Sequence, residues 1–177
     1  ADGLPAGTDL PAQPPTGRRA GINRAGMAGV VCPGCGARAA DNLDCQAVFE
    51  QFLALEFSDP AYGAVHLLTV AGYMIQHGRY SQAGLDWIAA RLREHLEDGV
   101  PADAIRRGAQ SAVGQQRRGW KITRQAGDPP QAFIPWSMTI LDVARQQRDA
   151  QSYQALVRRW ARSVLAEMQP LLGKNRK

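Results

Sequence analysis

The chain has 177 residues, a formal net charge of +5 and a 45% share of hydrophobic residues. This share supports a folded core and excludes a wholly disordered protein, and no apolar run is long enough to cross a membrane. Three cysteines, an odd number, and the lack of an apolar secretory segment in the first thirty residues argue against a secreted disulfide scaffold and favour the cytoplasm.

The charge is distributed unevenly along the chain. Residues 32–100 carry four basic and nine acidic side chains, whereas residues 101–177 carry fourteen basic and five acidic ones. Such an asymmetry is typical of proteins with an anionic partner, and it also fits two halves of one fold that attract each other.

Three regions are predicted along the chain. Residues 1–29 are rich in Pro, Gly and Ala and lack an apolar period, so they are predicted to form a flexible arm. Residues 30–168 are predicted to form a zinc-stabilised helical domain, and residues 169–177 a flexible basic tail.

Apolar residues recur at helical spacing through the predicted domain. After a cysteine loop at residues 32–44, Asp44 and Asp59 are placed to cap two helices, and Gly78 to end the second. Residues 102–135 show no clear pattern, because several glycines weaken a helix there. No alternating strand pattern is present, which predicts an all-α bundle of about five helices, over residues 45–57, 60–77, 82–97, 139–148 and 151–168.

The most specific chemical motif is the Cys-Pro-Gly-Cys turn that begins at Cys32. It places two thiolates on one turn, as a tetrahedral soft-metal site requires. Free or redox-active thiols are the alternative, but a thioredoxin-like motif would follow a strand, and none is predicted. The sequence therefore predicts a zinc site, whose thiolates are Cys32, Cys35 and Cys45.

The fourth ligand is predicted to be His77, with His66 as the alternative. The two histidines lie about 16 Å apart along a helix, so they cannot bind the same ion. If the first two helices form an antiparallel hairpin, His77 lies at the end that carries the cysteine loop. His66 is then either a buried core histidine or part of a second polar site with Tyr73, Gln76 or Glu56.

Segments spread over residues 32–165 follow the pattern of one family. They are CPGCGA at 32–37, EFSDPAYGAVH at 56–66, LTV at 68–70 with Tyr73, Gln76 and His77, LEDGV at 96–100, DV at 142–143 and VRRWA at 157–161. Together they resemble an uncharacterised bacterial family, domain of unknown function 5946. The resemblance implies a small helical domain that bears cysteine and histidine, with no assigned activity. The family pattern has an aspartate where this chain has Ala71, which argues against catalysis.

These observations favour a zinc-binding helical adaptor or accessory subunit of a larger protein or ribonucleoprotein. A metalloenzyme with a Cys/His zinc centre is the second hypothesis, with His66, Glu50 or Glu56 as the base, although no His-Glu-x-x-His motif is present. The third is a nucleic-acid-binding protein. In this hypothesis Trp120 and Trp136 stack on bases, and the C-terminal residues 174–177 add positive charge. The arginines that would contact phosphates are Arg106, Arg107, Arg117, Arg118, Arg158 and Arg159.

Overall fold

Helices make up most of the part of the chain that the structure describes. The computed structural model describes residues 30–39, 44–115 and 121–173, with only the backbone described for residues 110–115. Its helices are α1 (Cys45–Ser58), α2 (Pro60–Gly63), α3 (His66–Gln76), α4 (Gln82–Leu96), α5 (Ala102–Gln115), α6 (Ile140–Gln146) and α7 (Ala150–Glu167), followed by a 3₁₀ turn at Gln169–Leu171. The described ranges contain no strand and two isolated β-bridges, Val31 with Arg38 and Tyr80 with Thr123. The predicted all-α bundle is confirmed, with seven helices in these ranges.

Short polar side chains begin the first two helices where the sequence predicts them. The Asp44 carboxylate accepts a hydrogen bond from the Ala47 amide at 2.7 Å, and Asp59 accepts one from the Ala61 amide at 2.8 Å. Gly78 follows α3 with φ of +61°, a left-handed conformation that glycine adopts without strain. Local chemistry therefore fixes both ends of the segment that carries the two histidines.

The second predicted helix is in fact two helices. α2 is a single turn, and α3 begins at His66 after a break at Ala64 and Val65. A Cβ added to Gly63 would lie 2.8 Å from the carbonyl oxygen of Glu56, so only glycine fits against the end of α1. This close approach folds the chain back over α1 and brings His66 to the side of Glu56.

A long C-terminal helix, α7, forms the centre of the bundle. It packs against α2, α3, α4 and α6, and Trp160 on it is fully buried. A Cβ added to Gly72 of α3 would lie 3.1 Å from the Trp160 ring. The indole Nε1 donates to Gln76 Oε1 at 3.2 Å, and Gln76 Nε2 donates to the Met138 carbonyl at 2.8 Å. Gln76 thus joins α3, α7 and the segment before α6.

Helices that are both long and apolar enough to cross a membrane are absent from the described ranges. The predicted arm at residues 1–29, the residues Arg117, Arg118 and Trp120, and the last four residues, 174–177, lie outside the described part of the chain.

Candidate metal centre

The cysteine loop is a short hairpin held by main-chain hydrogen bonds. The Cys32 amide donates to the Ala37 carbonyl at 2.8 Å, and the Gly36 amide donates to the Cys32 carbonyl at 2.9 Å. Gly36 has φ of +74°, which permits the tight turn after Cys35. The Arg145 guanidinium donates to the Arg38 carbonyl at 2.6 Å and so ties the hairpin to α6.

Four side chains from three separate segments meet at this loop. Cys32 and Cys35 come from the hairpin, Cys45 is the first residue of α1, and His77 directly follows α3. Their ligand atoms all lie within 4.8 Å of one another. The structure therefore brings together the four residues that the sequence predicts as one site.

The distances within the cluster match those between the ligands of a tetrahedral ion. The Sγ atoms of Cys35 and Cys45 are 3.5 Å apart, as are Cys32 Sγ and His77 Nε2. Zinc bonds of about 2.3 Å to sulfur and about 2.0 Å to nitrogen give tetrahedral edges of about 3.8 Å and about 3.5 Å. These four residues could hold a metal ion with little rearrangement.

The imidazole of His77 presents the correct nitrogen to the thiols. Its Nδ1 lies 2.8 Å from the main-chain carbonyl oxygen of Tyr73. Because a carbonyl only accepts, this hydrogen bond places the ring proton on Nδ1 and leaves the lone pair of Nε2 directed towards Cys32. An outer hydrogen bond of this kind is typical of metal-binding histidines, since it fixes both the tautomer and the ring orientation.

Close packing on both sides holds the His77 ring. The Tyr73 ring stacks on it with centroids 4.0 Å apart, and Phe49 stacks on the far side of Tyr73 at 3.9 Å. A Cβ added to Gly34 would lie only 2.9 Å from Cδ2 of His77, so the turn between the two loop cysteines needs a glycine. Sequence reasoning missed this support, although the Tyr73–His77 spacing of four residues is the spacing of neighbours on a helix.

The buried thiols influence each other's protonation. A hydrogen bond with Cys45 lowers the pKa of Cys35, and burial only partly opposes this effect. The same hydrogen bond raises the pKa of Cys45, with burial as the next cause. A metal ion bound by both sulfurs would take the place of the thiol proton in this hydrogen bond, because metal-bound cysteines are thiolates.

The residues predicted for a second polar site do not meet in one place. The Tyr73 hydroxyl donates to Gln46 Oε1 at 2.7 Å beside the metal centre, whereas Gln76 is buried against Trp160. His66 instead contacts Glu56, with Nδ1 2.7 Å from Oε2. Of the three partners considered for His66, the structure brings only Glu56 to it.

The four predicted anion-binding arginines that the structure describes lie on two helices. Arg106 and Arg107 are on α5, and Arg106 forms an ion pair with Asp103 at 3.2 Å. Arg158 and Arg159 are on α7, where they donate to Gln154 at 3.1 Å and Gln146 at 3.2 Å. These contacts join Arg106, Arg158 and Arg159 to neighbouring polar side chains, and the anion-binding role stays a prediction.

A cavity of about 260 Å³ opens beside the metal centre. Its walls are mainly apolar and include Val31, Pro33 and Leu141 as well as Cys32 and His77. Val30 is 77% exposed and Val31 50% exposed at the entrance to the hairpin. The metal centre therefore lies next to an apolar surface.

Comparison with known families places the chain in one of them. Residues 30–169 match the model of a family of unknown function, DUF5946, so the chain belongs to this family, as the sequence segments predict. Neither a curated protein nor a solved structure matches the chain. Family membership supplies no activity, and the geometry of the site carries the functional conclusion.

Proposed function

We propose that this member of the DUF5946 family binds one zinc ion through Cys32, Cys35, Cys45 and His77 and acts as a helical adaptor or accessory subunit. The main support for the zinc site is that the ligand atoms of three thiols and one correctly oriented imidazole lie within 4.8 Å of one another. Three thiolates and one imidazole form a ligand set that suits zinc.

A structural role for the metal follows from the number of protein ligands. A catalytic zinc keeps one position open for water, whereas four protein ligands close the tetrahedron. Here the ligands also join a loop, the start of α1 and the end of α3, so that the ion would stabilise the fold. This favours an adaptor over the metalloenzyme hypothesis. A ligand set rich in thiolates is best kept in a reducing compartment, which supports the cytoplasm.

The apolar surface beside the metal centre supports a protein partner. Val30 and Val31 are exposed, and the adjoining cavity is lined mainly by apolar groups. Covering solvent-exposed valines lowers the free energy of the protein in water. A partner with an apolar segment would therefore fit there.

Metal content measured by elemental analysis tests the zinc site. The wild type should retain one zinc ion per chain, and Cys32→Ser and His77→Ala should each lose it. His95→Ala is the matched control, because His95 lies outside the cluster and its Nδ1 bonds the Val100 carbonyl at 2.7 Å. A metal-free wild type purified without chelators would contradict the proposal.

Coordination and partner binding are tested separately. A cobalt-substituted protein should give the absorption spectrum of four-coordinate cobalt bound to thiolates, and added azide should leave this spectrum unchanged. A change of the spectrum on adding azide would favour the metalloenzyme.

The adaptor role is tested by cross-linking in the protein's own cells. Proteins that cross-link to the wild type should no longer cross-link to Val31→Asp, at unchanged zinc content. Retention of every cross-linked partner would exclude this surface.

A further inference from the structure

A buried carboxylate lies at the end of α3 opposite the metal centre. The side chain of Glu56 on α1 is 0% exposed. Its Oε1 accepts hydrogen bonds from the hydroxyls of Thr69 on α3 and Tyr153 on α7, the latter at 2.6 Å. Its Oε2 is 2.7 Å from Nδ1 of His66, which is its one ion-pair partner among the described residues. A fully buried carboxyl group with a single ion-pair partner calls for a physical reason.

The geometry fixes which nitrogen of His66 carries the proton. Oε2 of Glu56 accepts, so Nδ1 of His66 carries a proton, and in the neutral imidazole Nε2 carries the lone pair. The side chain of His66 is 29% exposed, and the hydrogen bonds among the described residues include none to its Nε2. Because the buried carboxylate holds Nδ1, Nε2 is the nitrogen left for contact with solvent or a ligand.

The other two histidines show what is particular to His66. In His77 and His95, Nδ1 also donates, but to the main-chain carbonyls of Tyr73 at 2.8 Å and of Val100 at 2.7 Å. Only His66 donates to a carboxylate. A carboxylate acceptor fixes the ring orientation, and its negative charge attracts the positive charge that develops on the ring when Nε2 takes up a proton in a reaction.

Burial also keeps the hydroxyl groups of this network protonated. Desolvation raises the pKa of Tyr153, and its hydrogen bond to Glu56 raises it further. Tyr153 therefore remains a donor across the physiological pH range and holds Oε1 in place. The proton that can move in this network is the one that His66 accepts at Nε2.

An exposed aromatic ring adjoins the ring of His66. Phe57 is 78% exposed, and its ring centroid lies 5.0 Å from that of His66. Most large apolar side chains of the described part of the chain are buried, so a solvent-facing phenyl ring beside an oriented imidazole offers a stacking surface for an apolar group.

We propose that His66 and Glu56 form a general acid–base dyad whose reactive atom is Nε2 of His66. Its substrates are small molecules that carry an aromatic or apolar group against Phe57 and react through water or a hydroxyl group. Glu56 is a positioning residue, because it acts through His66. About 16 Å of helix separates His66 from His77, so the dyad works independently of the metal.

The proton transfer can be written for a simple aromatic ester, 4-nitrophenyl acetate. His66 Nε2 accepts a proton from water as the water oxygen bonds to the ester carbonyl carbon. The bond from that carbon to the nitrophenol oxygen then breaks, and acetate and nitrophenolate leave. The imidazolium returns the first proton to solvent, and the acetic acid initially formed releases the second proton to become acetate. The reaction therefore needs no oxidant or further reactant.

Chemical modification tests the reactivity of Nε2 without a natural substrate. Diethyl pyrocarbonate acylates neutral imidazole, and mass spectrometry gives the rate at each histidine of the zinc-loaded protein. His66 should react about tenfold faster than His95, and Glu56→Gln should remove most of that difference. Glutamine can still accept from Nδ1 but carries no charge, so a merely structural role would leave the rate of His66 unchanged. An unchanged rate would overturn the proposal.

The variant Tyr153→Phe keeps the inference testable if Glu56→Gln does not fold. It leaves the Glu56 charge and the His66 contact in place, so His66 should remain more reactive than His95. Equal reactivity of these two histidines in both the wild type and Tyr153→Phe would overturn the dyad.

Hydrolysis of 4-nitrophenyl acetate tests proton transfer directly. His66→Gln retains a donor for Glu56 and should lower the steady-state rate about tenfold or more. His95→Gln should leave the rate unchanged, and every variant keeps the three cysteines, so that acylation of thiols contributes equally. A His66→Gln rate equal to that of the wild type, at matched zinc content and melting temperature, would overturn the proposal.

Discussion

The two ends of α3 each hold a histidine whose Nδ1 donates a hydrogen bond, but the surroundings of the opposite nitrogen differ. At the C-terminal end, a main-chain carbonyl accepts from His77, and Nε2 faces three thiols. At the N-terminal end, a buried carboxylate accepts from His66, and the side chain of His66 is 29% exposed. The comparison teaches that the role of an imidazole depends on the groups at both of its nitrogens, and that distant parts of the chain supply these groups.

Metal removal should produce the largest effect and act on the C-terminal end of α3. A metal present at a thousand times its Kd stabilises the fold by about 4 kcal/mol. Since about 1 kcal/mol shifts the Tm of a chain this long by about 2–4 °C, a strong chelator should lower the Tm by about 10 °C in thermal unfolding. Cys35→Ser should begin at the lower Tm and respond little to chelator. An unchanged Tm after complete removal of the metal would contradict a structural role.

Loss of the buried carboxylate should be the next largest effect and act on the N-terminal end. Glu56→Ala leaves the hydroxyls of Thr69 and Tyr153 and Nδ1 of His66 without their acceptor, which should lower the free energy of unfolding by about 3 kcal/mol. Urea unfolding measures this, and zinc content should not change. Glu50→Ala on the same helix is the control, because its partner Gln46 is exposed. A loss no larger than that of the control would show that the network does not stabilise the fold.

A smaller change should separate the geometry of the metal centre from its ligands. Gly34→Ala keeps all four ligands but places a methyl group 2.9 Å from the His77 ring, so the imidazole must move. We expect about a tenfold loss of zinc affinity, measured by competition with a chromophoric chelator. Gly108→Ala is the control, because a Cβ there has no atom within 4 Å. Equal affinities of the two variants would show that the ring is not held by the turn.

The smallest effect concerns a single donor to Glu56. Tyr153→Phe removes one hydrogen bond from the carboxylate and should lower the free energy of unfolding by about 1 kcal/mol. Tyr62→Phe is the matched control: its ring lies 5.2 Å from that of Tyr153, and its hydroxyl has no hydrogen-bond partner among the described residues. Similar losses in the two variants would indicate that packing, and not the hydrogen bond, accounts for the change.

Features that depend on local chemistry are the ones that could be predicted from the sequence. The caps at Asp44 and Asp59 act on amides two or three residues away, so the sequence contains their whole mechanism. The placement of His77 beside the thiols required only that two neighbouring helices run antiparallel. The cluster could therefore be predicted, because all of its members lie in the cysteine loop, at the start of α1 and at the end of α3, within one stretch of 46 residues.

Features that depend on distant contacts could not be predicted. The buried face of α1 contains the apolar residues Val48 and Phe52 and continues to the polar residue Glu56, which an apolar pattern does not mark. Tyr153, whose hydroxyl donates a hydrogen bond to Glu56, lies 97 residues further along the chain. The break before His66 was missed because it depends on the contact of Gly63 with α1, and that contact requires the assembled helices.

The order of the metal ligands along the chain has a consequence for synthesis on the ribosome. Cys32, Cys35 and Cys45 emerge first, and His77 follows thirty-two residues later. At typical elongation rates of about 5–20 residues per second, the three thiols precede the imidazole by roughly 2–6 s. A metal ion bound by the nascent chain at this stage would have three protein ligands and an exchangeable fourth. The proposed zinc site would then accept its ion from a donor during that interval, before the completed α3 closes the site.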